Sequence, residues 1–129
     1  MTFRTKILIA EDEAIFALSM QQVLTRSGYD VCELVSTGEQ AIERVKQDNP
    51  DLVILDVILN GSVNGIEAAL QIRSGSNIPI IFITGYEESE LIERIKSVTS
   101  STYLIKPIVP KSLESAITQA LQNEKGRKE

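Results

Sequence analysis

Five polar residues follow directly after short apolar runs of the sequence, and their side chains could do chemistry. They are Glu11 and Asp12 after the first run, Asp56 after a second, Thr84 after a third and Lys106 after a fourth. The chain has no histidine and one cysteine, which excludes Ser-His and Cys-His nucleophile pairs and most transition-metal sites. The chemistry open to this protein is therefore that of carboxylates, a hydroxyl and an ammonium group.

The three carboxylates need compensation if the fold brings them together. Carboxylates that share a small volume repel one another, and the repulsion raises the pKa of at least one of them. A hard cation relieves this repulsion, and Mg²⁺ prefers oxygen ligands from one or two carboxylates together with water and phosphate oxygens. The pattern therefore predicts a Mg²⁺ site, also open to Mn²⁺, at Glu11, Asp12 and Asp56. Lys106 would add a further positive charge.

Phosphoryl transfer is the reaction that these groups suit best. A carboxylate can attack phosphorus and form an acyl phosphate, and Asp56 is the candidate nucleophile. The transfer mainly needs positioning and neutralisation of the charge on the moving oxygens. The cation and Lys106 would supply that charge, and the Thr84 hydroxyl would donate a hydrogen bond to one of the oxygens.

Strands and helices must alternate for this arrangement to form. Apolar, β-rich runs predict five strands, and segments of helical periodicity between them predict five helices. The predicted strands cover 6–10, 31–35, 52–55, 78–83 and 103–105, and the predicted helices cover 13–27, 38–47, 65–73, 87–98 and 110–123. Nearly continuous apolar strands are typical of parallel sheets that are covered by helices on both faces. Ligands of such α/β sandwiches bind beyond the carboxyl ends of the strands, where the five polar residues lie.

Length and composition fit one domain. The 129 residues include 43% hydrophobic residues, and we place the domain at 1–123 with a charged tail or the start of a linker at 124–129. The net charge of −5 argues against nucleic-acid binding, which needs clustered Lys and Arg. No apolar run reaches about 18 residues, so we expect no membrane segment and a cytoplasmic protein.

Four segments together resemble the signatures of response-regulator receiver domains, the phosphoacceptor domains of two-component systems and phosphorelays, including the single-domain chemotaxis regulator. The segments are ILIAEDE, DLVILDV, IIFITGY and TYLIKP, in this order. The resemblance covers nearly the whole chain and implies a doubly wound, flavodoxin-like (βα)₅ fold. In that fold a parallel sheet of strand order 2-1-3-4-5 forms the middle of a three-layer sandwich.

The resemblance also implies a role for the residues of the site. Asp56 would be the phosphoacceptor, and Asp12 would bind the metal directly while Glu11 acts mostly through water. The backbone carbonyl of Ile58 would complete the protein ligands. Lys106 would pair with the phosphate.

Switching residues are implied in the same way. Thr84 would be the switch hydroxyl, and Tyr103 would be the aromatic side chain that moves inward when Thr84 is drawn to the phosphate. A static, half-buried Tyr103 is the alternative. Lys106 and Pro107 would be joined by a cis peptide bond, which costs little before proline.

The sequence departs from the family pattern around the phosphoacceptor. The loop after Asp56 reads VILNGSVNGIE and is slightly longer than usual before Gly65. Ile58 and Tyr86 lie two residues beyond Asp56 and Thr84, at positions that flank the phosphate in receivers. Neither side chain carries a carboxylate to orient an attacking water, so we expect a comparatively long-lived phosphoaspartate.

The implied partners lie upstream and downstream in a signalling pathway. The donor would be a histidine kinase or a histidine phosphotransfer domain, and the signal would pass to a downstream output protein or to a missing output domain. The segments 87–98, 102–105 and 110–123 form the expected output face, which could also form a homodimer. We expect no catalysis other than the domain's own phosphorylation and dephosphorylation.

Two other functions would use similar residues. A Mg²⁺-dependent phosphatase that acts through an aspartyl phosphate is the main alternative, but such enzymes usually carry a second carboxylate where this chain has Ile58. A flavin-binding domain of similar topology would need a Ser/Thr/Gly-rich phosphate loop after the first strand. Here that position holds Glu11, Asp12 and Glu13, which would repel a phosphate in the absence of a cation.

Overall fold

The computed structural model describes residues 4–85 and 89–128, along which five strands alternate with five helices. The strands are β1 (Lys6–Ala10), β2 (Asp30–Val31), β3 (Leu52–Asp56), β4 (Ile80–Thr84) and β5 (Ser101–Ile105). The helices are α1 (Ala14–Arg26), α2 (Gly38–Asp48), α3 (Gly65–Gly75), α4 (Ser89–Lys96) and α5 (Pro110–Lys128). Within the described part of the chain, no helix is long and apolar enough to cross a membrane.

The five strands form one parallel sheet in the order β2-β1-β3-β4-β5. The register places Ala10 of β1 opposite Leu55 of β3. On the other side of β3, Asp56 lies opposite Ile83 of β4. The predicted doubly wound, flavodoxin-like sandwich with strand order 2-1-3-4-5 is therefore confirmed.

The core consists of two apolar layers, one on each face of the sheet. Successive strand residues point to opposite faces, so Leu8 and Ile9 enter different layers. Residues of α2, α3 and α4 complete the layer of Leu8, and residues of α1 and α5 complete the layer of Ile9. Because the central strands are covered on both faces, their sequences are apolar except for a polar residue at one end of each. Full burial of each such side chain contributes about 1.5–3 kcal/mol.

The strand predicted at 31–35 is much shorter in the structure. β2 contains only Asp30 and Val31, and the following segment meets β1 through separate hydrogen bonds instead of a continuous ladder. The Cys32 amide donates to the Ile7 carbonyl, and the Val35 amide donates to the Ile9 carbonyl. The apolar pattern therefore identified the segment that lies along β1 but not its irregular backbone.

Several later elements also differ at their ends, and β4 begins at Ile80 instead of 78. β5 begins at Ser101 instead of 103, because two polar residues extend the pairing with β4. Helix α5 continues to Lys128, past the predicted end at 123, so most of the expected tail has a helical backbone. Helix α4 is shorter than the predicted 87–98, and residues 87–88 of that prediction lie outside the described residues.

Candidate functional site

The carboxyl ends of the strands bring the predicted site residues to one edge of the sheet. Glu11 and Asp12 follow β1, Asp56 ends β3, Thr84 ends β4 and Lys106 follows β5. Carboxylate oxygens of Glu11, Asp12 and Asp56 lie within 4.8 Å of one another. Glu11, Asp56 and Thr84 are buried, whereas Asp12 is partly exposed. The edge of the sheet thus carries a compact acidic cluster that is open to solvent at Asp12.

Lys106 places its ammonium group among these carboxylates. Its Nζ donates a hydrogen bond to Asp56 Oδ2 over 3.0 Å and lies 3.1 Å from Glu11 Oε1. A longer contact of 3.5 Å joins Nζ to Glu13 Oε1. The Lys106 backbone amide donates to the Thr84 carbonyl over 2.8 Å, and the following peptide bond to Pro107 is cis. The backbone beyond β5 is therefore held to β4 where the ammonium reaches the site.

Burial and charge shift the pKa values of two groups in the site. Burial, followed by hydrogen bonding to Asp56 and the negative charge of Asp56, raises the pKa of Glu11 from 4.5 to about 7. The Glu13 amide, which donates to Glu11 Oε2 over 3.1 Å, and Lys106 act in the opposite direction. Burial opposes the charge of Lys106, but its hydrogen bonds and the charges of Asp56 and Glu11 raise its pKa above the ordinary value.

The donor set fits a hard divalent cation. Glu11 Oε1 is buried and accepts no hydrogen bond from the residues that the structure describes, although Lys106 lies nearby as an ion-pair partner. One ammonium group does not offset the charge of three clustered carboxylates, and a further cation would reduce their repulsion. The cluster offers oxygen ligands and contains no thiolate or imidazole, which is the set that Mg²⁺ and Mn²⁺ prefer.

The Asp56 carboxylate is held from both sides. The Ile58 amide donates to Oδ1 over 3.0 Å, while Lys106 donates to Oδ2. The Val57 amide continues the sheet by donating to the Ile83 carbonyl. Both side-chain oxygens are therefore positioned before any ligand binds.

Gly65 allows α3 to begin directly against the end of β3. A Cβ atom on Gly65 would lie 2.0 Å from the Asp56 carbonyl oxygen and 2.8 Å from Val57 Cα. The Gly65 amide donates to the Val57 carbonyl over 2.8 Å. A capping box between Asn64 and Glu67 starts the helix at this point. The close approach fixes the backbone that carries the candidate nucleophile.

The long loop between β3 and α3 is joined to the start of α2. Glu39 Oε1 accepts a hydrogen bond from the Val63 amide over 3.2 Å, and Thr37 forms an isolated parallel bridge with Asn60. Gly38 completes the contact, because a Cβ atom there would lie 2.5 Å from the Val63 carbonyl oxygen. The loop is thus held by specific contacts with α2.

Two residues near Lys106 were not among the sequence-based candidates. Glu13 extends the acidic run after β1, and its contact with Lys106 could have been suspected from that run. Phe16 of α1 lies with its ring centroid 4.7 Å from Lys106 Nζ. Phe16 belongs to the apolar face of α1, and nothing in a single sequence links it to a lysine so distant along the chain.

The remaining predicted residues have less specific surroundings. Tyr103 is half-buried beside the apolar layer of Phe82 and lies opposite Phe82 in the register of β4 and β5. The Ile58 side chain is 57% exposed. Tyr86 lies outside the described residues. The switch role of Tyr103 and the metal-ligand role of the Ile58 carbonyl stay predictions.

Comparison with known proteins agrees with this geometry. Residues 7–118 match the family model described as the response regulator receiver domain. The chain belongs to this family. It is a receiver domain of the two-component signalling type. The match includes all strand residues except Lys6, and it includes the five polar residues at the carboxyl edge of the sheet.

The relatives of this receiver domain include regulators of gene expression. The transcriptional regulatory protein PdtaR of Mycobacterium tuberculosis is 34% identical over 116 residues, which are 90% of this chain and 56% of the relative. The DNA-binding response regulator MtrA of Mycobacterium bovis is 32% identical over 123 residues, or 94% of this chain and 52% of the relative. This receiver domain thus spans about half the length of the curated relatives that it matches.

Solved structures support the same assignment. The signal receiver domain of a modulated diguanylate cyclase from Desulfovibrio desulfuricans G20 has a TM-score of 0.90 and 33% identity. That similarity covers 97% of this chain and 99% of the other. The fold is also that of the chemotaxis protein CheY4 of Vibrio cholerae, with a TM-score of 0.85 and 24% identity. That similarity covers 92% of this chain and 100% of the CheY4 chain.

Proposed function

We propose that this receiver domain accepts a phosphoryl group on Asp56 and thereby changes its affinity for a downstream partner. The donor would be the phosphohistidine of a histidine kinase or of a histidine phosphotransfer domain. The observation that carries this proposal is the Asp56 carboxylate, which is bonded to Lys106 over 3.0 Å and grouped with two further carboxylates within 4.8 Å. Phosphoryl transfer needs a nucleophile, a fixed positive charge and a metal ion. Asp56 would be the nucleophile, Lys106 would supply the fixed charge, and the acidic cluster would bind the metal.

The chain's own residues orient the nucleophile and neutralise charge. An Asp56 oxygen would form the new bond to phosphorus as the bond from phosphorus to the histidine nitrogen breaks. The Ile58 amide and Lys106 hold the two oxygens of Asp56 beforehand, which limits the motion needed to reach an attacking geometry. Lys106 would then pair with an oxygen of the phosphoryl group, and the Thr84 hydroxyl would donate to another.

A divalent cation would be held by Asp12, Asp56 and the Ile58 carbonyl, with Glu11 acting through water. Mg²⁺ bound there would offset the negative charge of the phosphoryl oxygens and of the acidic cluster. Glu11 supports this assignment, since its buried carboxylate is grouped with those of Asp12 and Asp56 within 4.8 Å.

Phosphorylation by a small-molecule donor tests the proposal. The protein would be incubated with acetyl phosphate and Mg²⁺, and its intact mass would be measured. We expect a gain of one phosphoryl group that is lost in Asp56→Ala and kept in Asp30→Ala, a matched exposed aspartate on the edge strand β2. A gain that persists in Asp56→Ala would contradict the assignment of the phosphoacceptor.

Helix α1 offers an apolar surface for the phosphodonor. Ile15 and Leu18 lie near the start of this helix, beside the acidic cluster, and are 86% and 49% exposed. A donor helix could dock its apolar face there. We expect Leu18→Glu to slow phosphoryl transfer from a cognate donor while leaving acetyl phosphate labelling unchanged.

Leu70 provides the matched control for that experiment. It is 48% exposed on α3, which covers the opposite face of the sheet from α1. Leu70→Glu introduces the same charge and should leave transfer at the wild-type rate. Equal rates for wild type, Leu18→Glu and Leu70→Glu would exclude Leu18 from the donor interface.

A further inference from the structure

The aromatic ring of Phe16 lies against the ammonium group of Lys106, with 4.7 Å between Nζ and the ring centroid. We propose that Phe16 is a positioning residue that holds Lys106 at Asp56 through a cation–π contact. This inference rests on the proposed function, because Lys106 is the fixed positive charge of the phosphoryl site. It adds a residue from the apolar face of α1 to that site.

The surroundings of Lys106 explain why a ring contact is useful. Among the described residues, the other partners of its ammonium group are the carboxylates of Asp56, Glu11 and Glu13. Binding of a phosphoryl group at Asp56 would require Lys106 to exchange hydrogen bonds with some of these carboxylates for bonds to the new oxygens. The attraction to the face of the Phe16 ring is not a hydrogen bond, so the ring can hold Lys106 during this exchange.

Phe16 itself is held in place by the core. It is half-buried and packs against the apolar layer that contains Ile9 and Ile83. A lysine side chain has many rotamers, and it loses that freedom when it binds an anion. A rigid ring that restricts Lys106 beforehand reduces this loss and so should raise the affinity of the site for a phosphoryl-like anion.

The binding of beryllofluoride, a phosphoryl mimic, measures this effect in the presence of Mg²⁺. We expect Phe16→Leu to weaken beryllofluoride binding about 3- to 10-fold, because Lys106 must then be ordered on binding. Phe16→Tyr, which keeps an aromatic face, should restore the affinity to within about 2-fold of wild type. Tyr29→Leu is the matched control, since Tyr29 is also a half-buried aromatic side chain packed against the same layer.

A fluorinated ring separates the cation–π contact from packing. A trifluorinated phenylalanine at position 16 nearly keeps the shape of the side chain but weakens the negative face of the ring. We expect it to bind beryllofluoride more weakly than the natural ring and to leave the urea midpoint unchanged. In the metal-free protein, the methylene protons beside Lys106 Nζ should show a ring-current shift in the NMR spectrum that disappears in Phe16→Leu.

Three results would overturn the inference. The first is that Phe16→Leu binds beryllofluoride with wild-type affinity. The second is that Phe16→Leu binds it more weakly but the fluorinated ring binds it with wild-type affinity. The third is the absence of a ring-current shift at Lys106. Failure of the proposed function has a different signature. In that case the wild-type protein would not bind beryllofluoride, or Asp56→Ala would bind it equally well.

Discussion

Replacing Gly65 with alanine should destabilise the domain and disturb the phosphoacceptor at the same time. The new Cβ atom would lie 2.0 Å from the Asp56 carbonyl oxygen, whereas nonbonded heavy atoms are normally about 3.5 Å or more apart. Overpacking typically costs about 1–3 kcal/mol. Because the obstructing atoms belong to the backbone, no side-chain rotation relieves the clash, and we expect a loss near the top of that range, about 3 kcal/mol.

Urea denaturation of two variants measures this cost. With a slope of roughly 1.5 kcal/mol per molar urea, a loss of about 3 kcal/mol lowers the midpoint by roughly 2 M. Gly75→Ala is the matched control at the other end of α3, where a Cβ atom would meet nothing within 4 Å. It should leave the stability unchanged or raise it by up to about 1 kcal/mol, because alanine favours the helix.

The clash should also reach the site, because the atom that is pushed aside is the carbonyl oxygen of Asp56 itself. We expect weaker Mg²⁺ binding and slower labelling by acetyl phosphate in Gly65→Ala, and wild-type behaviour in Gly75→Ala. Equal urea midpoints and equal Mg²⁺ affinities in wild type and Gly65→Ala would refute the argument that Gly65 is needed for this close approach.

Three further predictions concern the pH dependence, the phosphate lifetime and the start of α3. Between pH 4.5 and about 7, Glu11 is protonated in the folded protein but ionised in the unfolded chain. The free energy of unfolding of the metal-free domain therefore falls with rising pH over this range, and the contribution of Glu11 is largest below pH 4.5. That contribution should be lost as the pH rises through about 7, whereas Mg²⁺ affinity should rise over the same range. Titration calorimetry with Mg²⁺ at several pH values would measure this affinity. If the affinity of Glu11→Gln changed with pH in the same way as that of wild type, the prediction would be contradicted. Ile58→Asn should shorten the lifetime of the phosphoaspartate, because a smaller polar side chain admits and orients water. The autodephosphorylation rate measures this, and an unchanged rate would remove Ile58 from the explanation. Asn64→Ala should lower the free energy of unfolding by about 1 kcal/mol, since the capping box at Glu67 is lost. Urea denaturation tests it, with exposed Asn77→Ala as the control.

The α/β class and the acidic cluster could be predicted from the sequence for a physical reason, whereas the strand order was implied by the family resemblance. Strands that helices cover on both faces are apolar over most of their length, so the central strands were visible as nearly continuous apolar runs. Polar residues at the ends of such strands must then meet at one edge of the sheet. The grouping of Asp56 with Glu11 and Asp12 follows from these two constraints alone.

The details that the sequence did not reveal depend on edges, loops and distant contacts. β2 and β5 are edge strands, where irregular pairing and polar residues weaken the apolar pattern. The contact between Phe16 and Lys106 depends on the packing of α1 against one face of the sheet, which no local pattern encodes. The close approach at Gly65 likewise appears only when the backbone of β3 is in place.

The contacts between the β3–α3 loop and α2 restrain this loop more than is usual for a surface loop. Surface loops usually tolerate insertions and deletions because few contacts restrain them. Here Val63 is bonded to Glu39, and Gly65 lies against Asp56, so a change in loop length would be felt at both positions. A displacement of the backbone at Asp56 would likewise be felt at the start of α2, because the same loop contacts both.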